Sequence, residues 1–140
     1  MILVVGGMAS GKRSYVESLG FASSSFDEGV LGSAPVLYGL EDILRAGALS
    51  DDQFEVLCTK DVVVCTEVGS GVVPMDKQER VWRELVGRTT ATLAARATCV
   101  VRMVCGVPQV LIENEQSADR QFFEECPVEG QLDQPASKEG

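Results

Sequence analysis

Short apolar runs alternate along the chain with segments in which apolar residues recur at helical spacing. Four mainly apolar runs predict strands that are buried on both faces of a sheet, at residues 2–5, 35–38, 61–66 and 99–105. The intervening segments predict helices at residues 11–19, around 40–44, after 50, and from 74 to about 97. Strands that alternate with helices form right-handed crossovers and a mainly parallel sheet flanked by helices. The pattern therefore predicts an α/β fold.

Local signals add detail to this pattern. Ser50 and Gln53 have the spacing of a capping box, which predicts a helix that buries Phe54 and Leu57. Residues 21–33 are rich in serine and glycine and have no clear period, so we predict a loop there. The strand that ends before Gly-Val-Pro is predicted to be the last one.

Charge is distributed unevenly along the chain. The 140 residues include 12 basic and 21 acidic side chains, for a net charge of −9, and eight of the acids but two of the bases fall in residues 113–140. We therefore expect a folded domain over residues 1–112 and an acidic, flexible tail over 113–140. Nucleic-acid binding needs a basic face, which this balance argues against.

Targeting and membrane signals are absent from the pattern. No apolar run approaches the ~18 residues of a membrane helix, and the opening residues lack the basic start of a signal peptide. We therefore expect a cytoplasmic protein that binds neither membrane nor nucleic acid.

Histidine does not occur in the sequence, which excludes several kinds of catalytic site. Ser-His-Asp triads, Cys-His pairs, histidine-ligated zinc and phosphohistidine all require an imidazole. The five cysteines form no C-x-x-C pair and are interpreted as reduced thiols, mostly small core residues.

A glycine-rich segment joins the first predicted strand to the first predicted helix. Its sequence, Gly-Gly-Met-Ala-Ser-Gly-Lys-Arg-Ser at residues 6–14, fits the phosphate-loop pattern G-x-x-x-x-G-K. In such a loop, backbone amides surround phosphate oxygens, and Lys12 would reach the β- and γ-phosphates. We therefore expect residues 1–112 to form a P-loop NTPase-like nucleotide-binding domain. The nucleotide-binding candidates are Gly6, Gly7, Ser10, Gly11, Lys12, Arg13 and Ser14.

The loop departs from the pattern at Arg13, where Ser or Thr normally supplies a hydroxyl to Mg²⁺. Two alternatives follow. Either Arg13 itself contacts the phosphates and replaces the metal, which we favour, or the loop shifts its register so that Ser14 is the metal ligand. The shift would also have to move the amides that hold the phosphates.

A second glycine-rich segment follows the predicted strand at residues 61–66. Its Glu67 is expected at the carboxyl edge of the sheet, where open α/β sheets bind ligands. We interpret Glu67 and Lys12 as the catalytic candidates, although a loop-capping carboxylate would explain Glu67 equally well. The candidates for contacts with substrate or phosphate are Gly69, Gly71, Arg80, Arg83 and Arg88.

Together these segments resemble the bifunctional adenosylcobinamide kinase / adenosylcobinamide-phosphate guanylyltransferase family. The family motif G-G-x-x-S-G-K-S is matched by Gly6, Gly7, Ser10, Gly11 and Lys12. A second motif, N-E-V-G-x-G-I-V-P, is matched by Glu67, Val68, Gly69, Gly71, Val73 and Pro74, with Thr66 in place of Asn. A third, R-x-x-R-D-x-x-G-R, is matched by Arg80, Arg83, Gly87 and Arg88, with Glu84 in place of Asp. The resemblance covers residues 2–14 and 62–111.

The departures from the family are informative. The histidine that carries the guanylyl group in the family is missing, and the region that should hold it is reduced to residues 21–33. The family's acidic residue after its second strand has only Glu41 or Asp42 as a substitute, and Thr90 stands in place of its Asn in G-R-x-N-Q. The resemblance thus implies a kinase without the covalent guanylyltransferase step.

The resemblance implies a function of one of two classes. The first is a P-loop kinase that transfers a phosphoryl group from ATP or GTP to a corrinoid alcohol in cobalamin biosynthesis. In this enzyme, Ser14 or Thr66 would hold Mg²⁺, and Glu67 would orient a metal-bound water or the acceptor hydroxyl. The second is a non-catalytic nucleotide- or corrinoid-binding accessory protein of the same fold. The family also implies a homo-oligomer, a trimer.

Overall fold

A computed structural model of the protein describes residues 1–69 and 71–113. Six strands and four helices make up this part of the chain. The strands are β1 (Ile2–Gly6), β2 (Phe26–Glu28), β3 (Val36–Tyr38), β4 (Val62–Thr66), β5 (Cys99–Val104) and β6 (Val107–Glu113). The helices are α1 (Lys12–Ser18), α2 (Leu40–Ile43), α3 (Asp51–Thr59) and α4 (Lys77–Arg96), with 3₁₀ turns at Ser23–Ser25 and Leu44–Ala46.

The strands form one sheet in the order β2-β3-β4-β1-β5-β6. Strands β1 to β5 are parallel, and β6 is antiparallel to β5. The predicted P-loop NTPase-like α/β fold, with a mainly parallel sheet flanked by helices, is therefore confirmed. β1 lies between β4 and β5. Strands β2, β3 and β4 lie on one side of it, and β5 and β6, which come later in the chain, lie on the other side. Ligands of open α/β sheets bind at such a switch point, beyond the carboxyl ends of the strands.

Apolar side chains cover both faces of the central strands. On one face, Val4 of β1 packs in a buried cluster with Val16 of α1. On the other face, Leu3 packs in a second cluster with Leu57 of α3 and Leu93 of α4. The continuous apolar runs of these strands are explained by this burial on two sides, as the sequence predicts.

Two strands were not predicted from the sequence. β2 lies within residues 21–33, where we expected a loop, and its three residues are too few to show an alternating pattern. The prediction that the strand at 99–105 is the last was also wrong, because β6 follows it through a tight turn at Cys105 and Gly106, both with positive φ. Pro108 disfavours a strand because proline has no backbone N–H to donate to a neighbouring strand. It is tolerated here because β6 lies at the edge of the sheet.

Helix α4 begins after Asp76, which caps it, and its buried face differs slightly from the predicted one. The contacting stripe runs through Trp82, Val86, Leu93 and Ala97, at spacings of a helical face. The recurrence of apolar residues in the sequence also predicts Val81 on this face, but Val81 is 57% exposed. One residue along a helix rotates the side chain by about 100°, which places Val81 beside the stripe.

The predicted domain boundary at residue 112 falls inside β6, which runs to Glu113. The remainder of the predicted acidic tail, residues 114–140, lies outside the described residues. Among the described residues, no helix is both long enough and apolar enough to cross a membrane.

The predicted capping box at the start of α3 is present with both of its hydrogen bonds, between Ser50 and Gln53. At the other end of this helix, the buried Lys60 holds the segment after β2. Its Nζ donates to Asp27 Oδ2 at 3.1 Å and to the carbonyl oxygens of Gly32 and Ala34 at 2.6 and 2.5 Å. Lys60 thereby fixes the short segment in which the family's histidine would lie.

Asp27 makes the stability of this segment sensitive to acid. Burial alone would raise the pKa of Asp27, but hydrogen bonds from Lys60 and from the Ala34 amide outweigh it, so the pKa lies below its usual value. The stabilisation is present above the unfolded-state pKa of about 3.9 and is lost as the pH falls through the lower folded-state pKa.

We therefore expect Asp27→Asn to flatten the acid side of the stability curve. Urea unfolding of both proteins between neutral pH and about pH 2 measures this, because the unfolded-state pKa is near 3.9. Parallel losses of stability in acid for the two proteins would contradict the role given to Asp27.

Candidate functional site

The glycine-rich loop of residues 6–14 wraps over the carboxyl end of β1. Gly11 precedes α1 with φ of 94°, in the left-handed region that glycine adopts without strain. At Gly6, an added Cβ would lie 2.6 Å from Ser10 Oγ and 2.8 Å from the carbonyl oxygen of Met103, so a side chain has no room. The start of the loop is thus packed tightly against β5, where Gly6 is paired with Met103.

The donors of this loop are available to an anion. In the described chain, the backbone amides of Ala9, Gly11, Lys12 and Arg13 donate to no backbone acceptor. Ser10 Oγ is buried and has no hydrogen-bond partner there. A buried hydroxyl without a partner is uncommon and needs an explanation, which a bound phosphate oxygen would supply.

Lys12 is the most unusual group of the site because it is charged and only 4% exposed. Its Nζ donates to the carbonyl oxygen of Gly7 at 2.6 Å, across the loop. Burial lowers the pKa of Lys12, and the negative charges of Glu41 and Glu67 oppose that shift. The ammonium group is therefore held inside the loop with incomplete compensation, which a polyphosphate would complete.

Glu41 and Glu67 reach Lys12 from two neighbouring strands. Glu41, in α2 after β3, accepts a hydrogen bond from the amide of Thr66 at 3.0 Å, and its own carbonyl accepts from Trp82 Nε1 at 2.9 Å. Glu67 directly follows β4. Of the two acids considered as substitutes for the family's second acid, Glu41 rather than Asp42 is the one that acts on Lys12.

Arg102 of β5 is a member of the site that the sequence reasoning missed. Its Nε and Nη2 donate to the two carboxylate oxygens of Glu67, at 3.0 and 3.2 Å. The signal was present, since Arg102 is a charged residue near the carboxyl end of an otherwise apolar strand. The bidentate pair fixes the orientation of the Glu67 carboxylate.

Cys65 lies beside Glu41 but is not a nucleophile. Burial, and then the Glu41 carboxylate, raise the pKa of its thiol well above the usual range. Among the described cysteines there is no disulfide; Cys65 and Cys99 are buried, whereas Cys58 is half-buried and Cys105 is exposed.

The side chains of Arg13 and Ser14 lie away from this group of charges. The Arg13 guanidinium pairs with Glu28 and lies 4.9 and 4.8 Å from the ring centroids of Phe26 and Tyr38. Ser14 is exposed and lines a depression between α1 and the β5–β6 turn. To contact a phosphate in place of a metal, Arg13 would have to leave its three partners.

The two alternatives for Arg13 make opposite predictions about Mg²⁺. If Arg13 replaces the metal, chelation should change ATP affinity little, and Arg13→Ser should introduce a dependence on Mg²⁺. If Ser14 is the ligand, Ser14→Ala should abolish an existing dependence. We retain the first alternative, and calorimetric ATP titrations with and without a chelator test it. A strong Mg²⁺ dependence of the unaltered protein would contradict it.

The predicted contact arginines are all on α4, and two of them hold the second glycine segment. Arg83 Nη1 donates to the carbonyl of Val72 at 3.1 Å, and Arg80 Nη1 donates to those of Pro74 and Met75 at 3.1 and 3.0 Å. Arg88 instead pairs with Glu84 on the exposed side of the helix, at 2.5 Å.

A cavity of about 310 Å³ opens between the end of β4 and α4. Most of its lining is apolar, and its polar members include Thr66, Glu67 and Arg83. The Arg83 Nε is buried and has no partner in the described chain. Gly69 lines the same cavity, whereas Gly71 lies beyond it with φ of 104°.

A magnesium ion fits the donors at this edge of the sheet. In proteins Mg²⁺ is commonly held by one or two carboxylates together with substrate phosphates. Glu41, Glu67 and the Thr66 hydroxyl provide oxygen ligands of this kind near Lys12. The described residues contain no group of three or more acidic or cysteine side chains that would bind a metal without such help.

The fold defines a class, that of P-loop NTPase-like α/β proteins, in which a glycine-rich loop follows the first strand of a mainly parallel sheet. The family model described as "Cobinamide kinase / cobinamide phosphate guanyltransferase" matches residues 44–111. The match confirms the resemblance inferred from the motifs over this segment, which is just under half of the chain. The matched region contains Glu67, the arginines and Arg102 but begins after the phosphate loop. No curated protein gives a significant match to the chain.

Proposed function

We propose that the protein is a P-loop kinase of the adenosylcobinamide kinase type, which transfers the γ-phosphoryl group of ATP or GTP to the hydroxyl of a corrinoid alcohol. The observation that carries this proposal is Lys12, which is buried in the loop and on which the negative charges of Glu41 and Glu67 act. The family match supports the substrate class.

Each charged residue has a role in this reaction. Lys12 and the free loop amides bind the β- and γ-phosphates and stabilise the charge that spreads over the transferred group. Glu67, oriented by Arg102, takes the proton of the acceptor hydroxyl. The acceptor oxygen then bonds to the γ-phosphorus, and the bond to the β-phosphate breaks so that nucleoside diphosphate leaves. If the protein uses a metal instead of Arg13, Glu41 and Glu67 would hold Mg²⁺, which would supply neutralisation of phosphate charge.

The proposal excludes the guanylyltransfer step of the family by its usual route. That route attaches the nucleotide to a histidine, and this chain contains none. We therefore expect that incubation with GTP leaves the mass of the intact protein unchanged. A stable increase by one guanylyl group would mean that another residue, such as a lysine, has taken over the covalent role.

The experiment that tests the proposal is acceptor-dependent release of nucleoside diphosphate. Purified protein with ATP or GTP and Mg²⁺ is expected to release the nucleoside diphosphate, ADP or GDP, faster when cobinamide is added. A nucleotide-binding protein that shows no such acceleration would instead be the non-catalytic accessory protein. The position of Arg13 and the missing histidine are the observations that favour this second candidate.

A further inference from the structure

Four large apolar side chains at the carboxyl edge of the sheet are almost fully exposed. We call them the apolar rim: Met8 in the phosphate loop, and Val72, Val73 and Met75 after β4, with exposures of 89, 89, 71 and 96%. Single exposed apolar residues are ordinary, but a group of them beside a candidate active site indicates a binding surface.

The backbone that carries three of these side chains is anchored. Arg83 binds the carbonyl of Val72, and Arg80 binds those of Pro74 and Met75. Each arginine thus uses its Nη1 to hold the backbone of the segment. This arrangement holds the apolar side chains toward solvent instead of allowing them to collapse onto α4.

The rim residues lie on the two segments that carry the catalytic candidates, after β1 and after β4. Met8 follows β1 within the phosphate loop, and Val72 comes five residues after Glu67. The cavity beside Glu67 measures about 310 Å³, near the lower limit for sites that enclose a small molecule. It has room for a hydroxyl-bearing arm of an acceptor, but a macrocycle must remain outside.

We propose that the apolar rim binds the broad, weakly polar face of a large acceptor, whose hydroxyl-bearing arm enters the cavity and reaches Glu67. The inference rests on the proposed function for the identity of the acceptor class, a corrinoid alcohol. It assigns Met8, Val72, Val73 and Met75 to substrate binding. It also separates two tasks, since the rim recognises the macrocycle and the cavity recognises the arm.

The test uses cobinamide as the probe and equilibrium dialysis, followed by its visible absorbance. The variant Val72→Ser/Met75→Ser is expected to bind cobinamide at least about tenfold more weakly, because two apolar side chains lose their buried contacts. Its ATP affinity should stay within about twofold of the unaltered protein, because neither side chain contacts the loop amides. The matched control, Val30→Ser/Val56→Ser, alters two exposed valines outside the rim and should leave both affinities unchanged.

A second variant tests whether the hydroxyl-bearing arm of the acceptor enters the cavity. A Cβ at Gly87 meets no atom within 4 Å, so Gly87→Leu can be accommodated and would fill part of the cavity that Gly87 lines. It is expected to weaken cobinamide binding at least about threefold by excluding the arm. Unchanged affinity would overturn the placement of the arm in the cavity.

Three results would overturn the role of the rim. They are no binding of cobinamide by the unaltered protein, equal binding by the rim variant, and a rim variant that changes oligomeric mass while binding cobinamide normally. In the last case the rim would be a protein–protein interface. Rim-dependent cobinamide binding without phosphoryl transfer would uphold this inference and refute the proposed kinase function.

Discussion

Replacing Lys12 with alanine should weaken ATP binding by about tenfold to a hundredfold, because a charge-assisted hydrogen bond to phosphate contributes roughly 1.5–3 kcal/mol. The effect is expected to be large because Lys12 is 4% exposed and little water screens it. Calorimetric titration of both proteins with ATP measures the loss. Equal affinity would refute the phosphate-loop interpretation.

The same lysine should be unfavourable to stability when no nucleotide is bound. Burial lowers the pKa of Lys12, so the folded protein resists its protonation, and stability rises as the pH increases through that lowered pKa. We expect Lys12→Met to unfold at the same temperature as the unaltered protein or higher. This control shows that lost ATP binding does not result from lost folding.

Replacing Glu67 with glutamine should slow phosphoryl transfer by about a hundredfold while ATP affinity stays within about twofold, because positioned acid–base groups contribute at least this much to rate. Glutamine retains the shape of the side chain but lacks the negative charge that pairs with Arg102 and acts on Lys12. Steady-state assays with cobinamide measure the separation of the two effects.

The matched control for Glu67 is Glu84→Gln on α4. Glu84 forms an exposed pair with Arg88 one helical turn away, and such pairs contribute little. Its replacement should leave transfer and binding unchanged. If the two variants behaved alike, Glu67 would be a structural carboxylate and the catalytic role would have to be sought at Glu41.

The sequence predicts well the strands that are buried on both faces and the helix whose cap is formed by residues adjacent in the sequence. β1 and β4 are apolar throughout because both of their faces are covered, and the Ser50–Gln53 capping box depends on neighbouring residues alone. The edge strands β2 and β6 escaped prediction for the opposite reason. One is three residues long, and the other contains Pro108 and follows an unusual Cys-Gly turn.

The candidate site shows the same division. The phosphate loop and Glu67 could be predicted because each lies at a junction between a strand and the segment that follows it. Arg102 stands out as a charged residue in an apolar strand, but its partner could not be predicted, because the contact with Glu67 joins residues that are 35 positions apart in the sequence. Likewise, the sequence allowed Arg80 and Arg83 to contact anions, whereas the structure shows them holding the loop that carries the apolar rim.

The central claim is that this edge of the sheet transfers a phosphoryl group to an acceptor alcohol. A single-turnover reaction with γ-labelled ATP, cobinamide and excess protein tests it most directly, with the label divided between the corrinoid fraction and inorganic phosphate. We predict that most of the label appears as a phosphate ester of cobinamide with the unaltered protein and almost none with Lys12→Ala. Label that remains in ATP, or that is released only as inorganic phosphate, would contradict the claim.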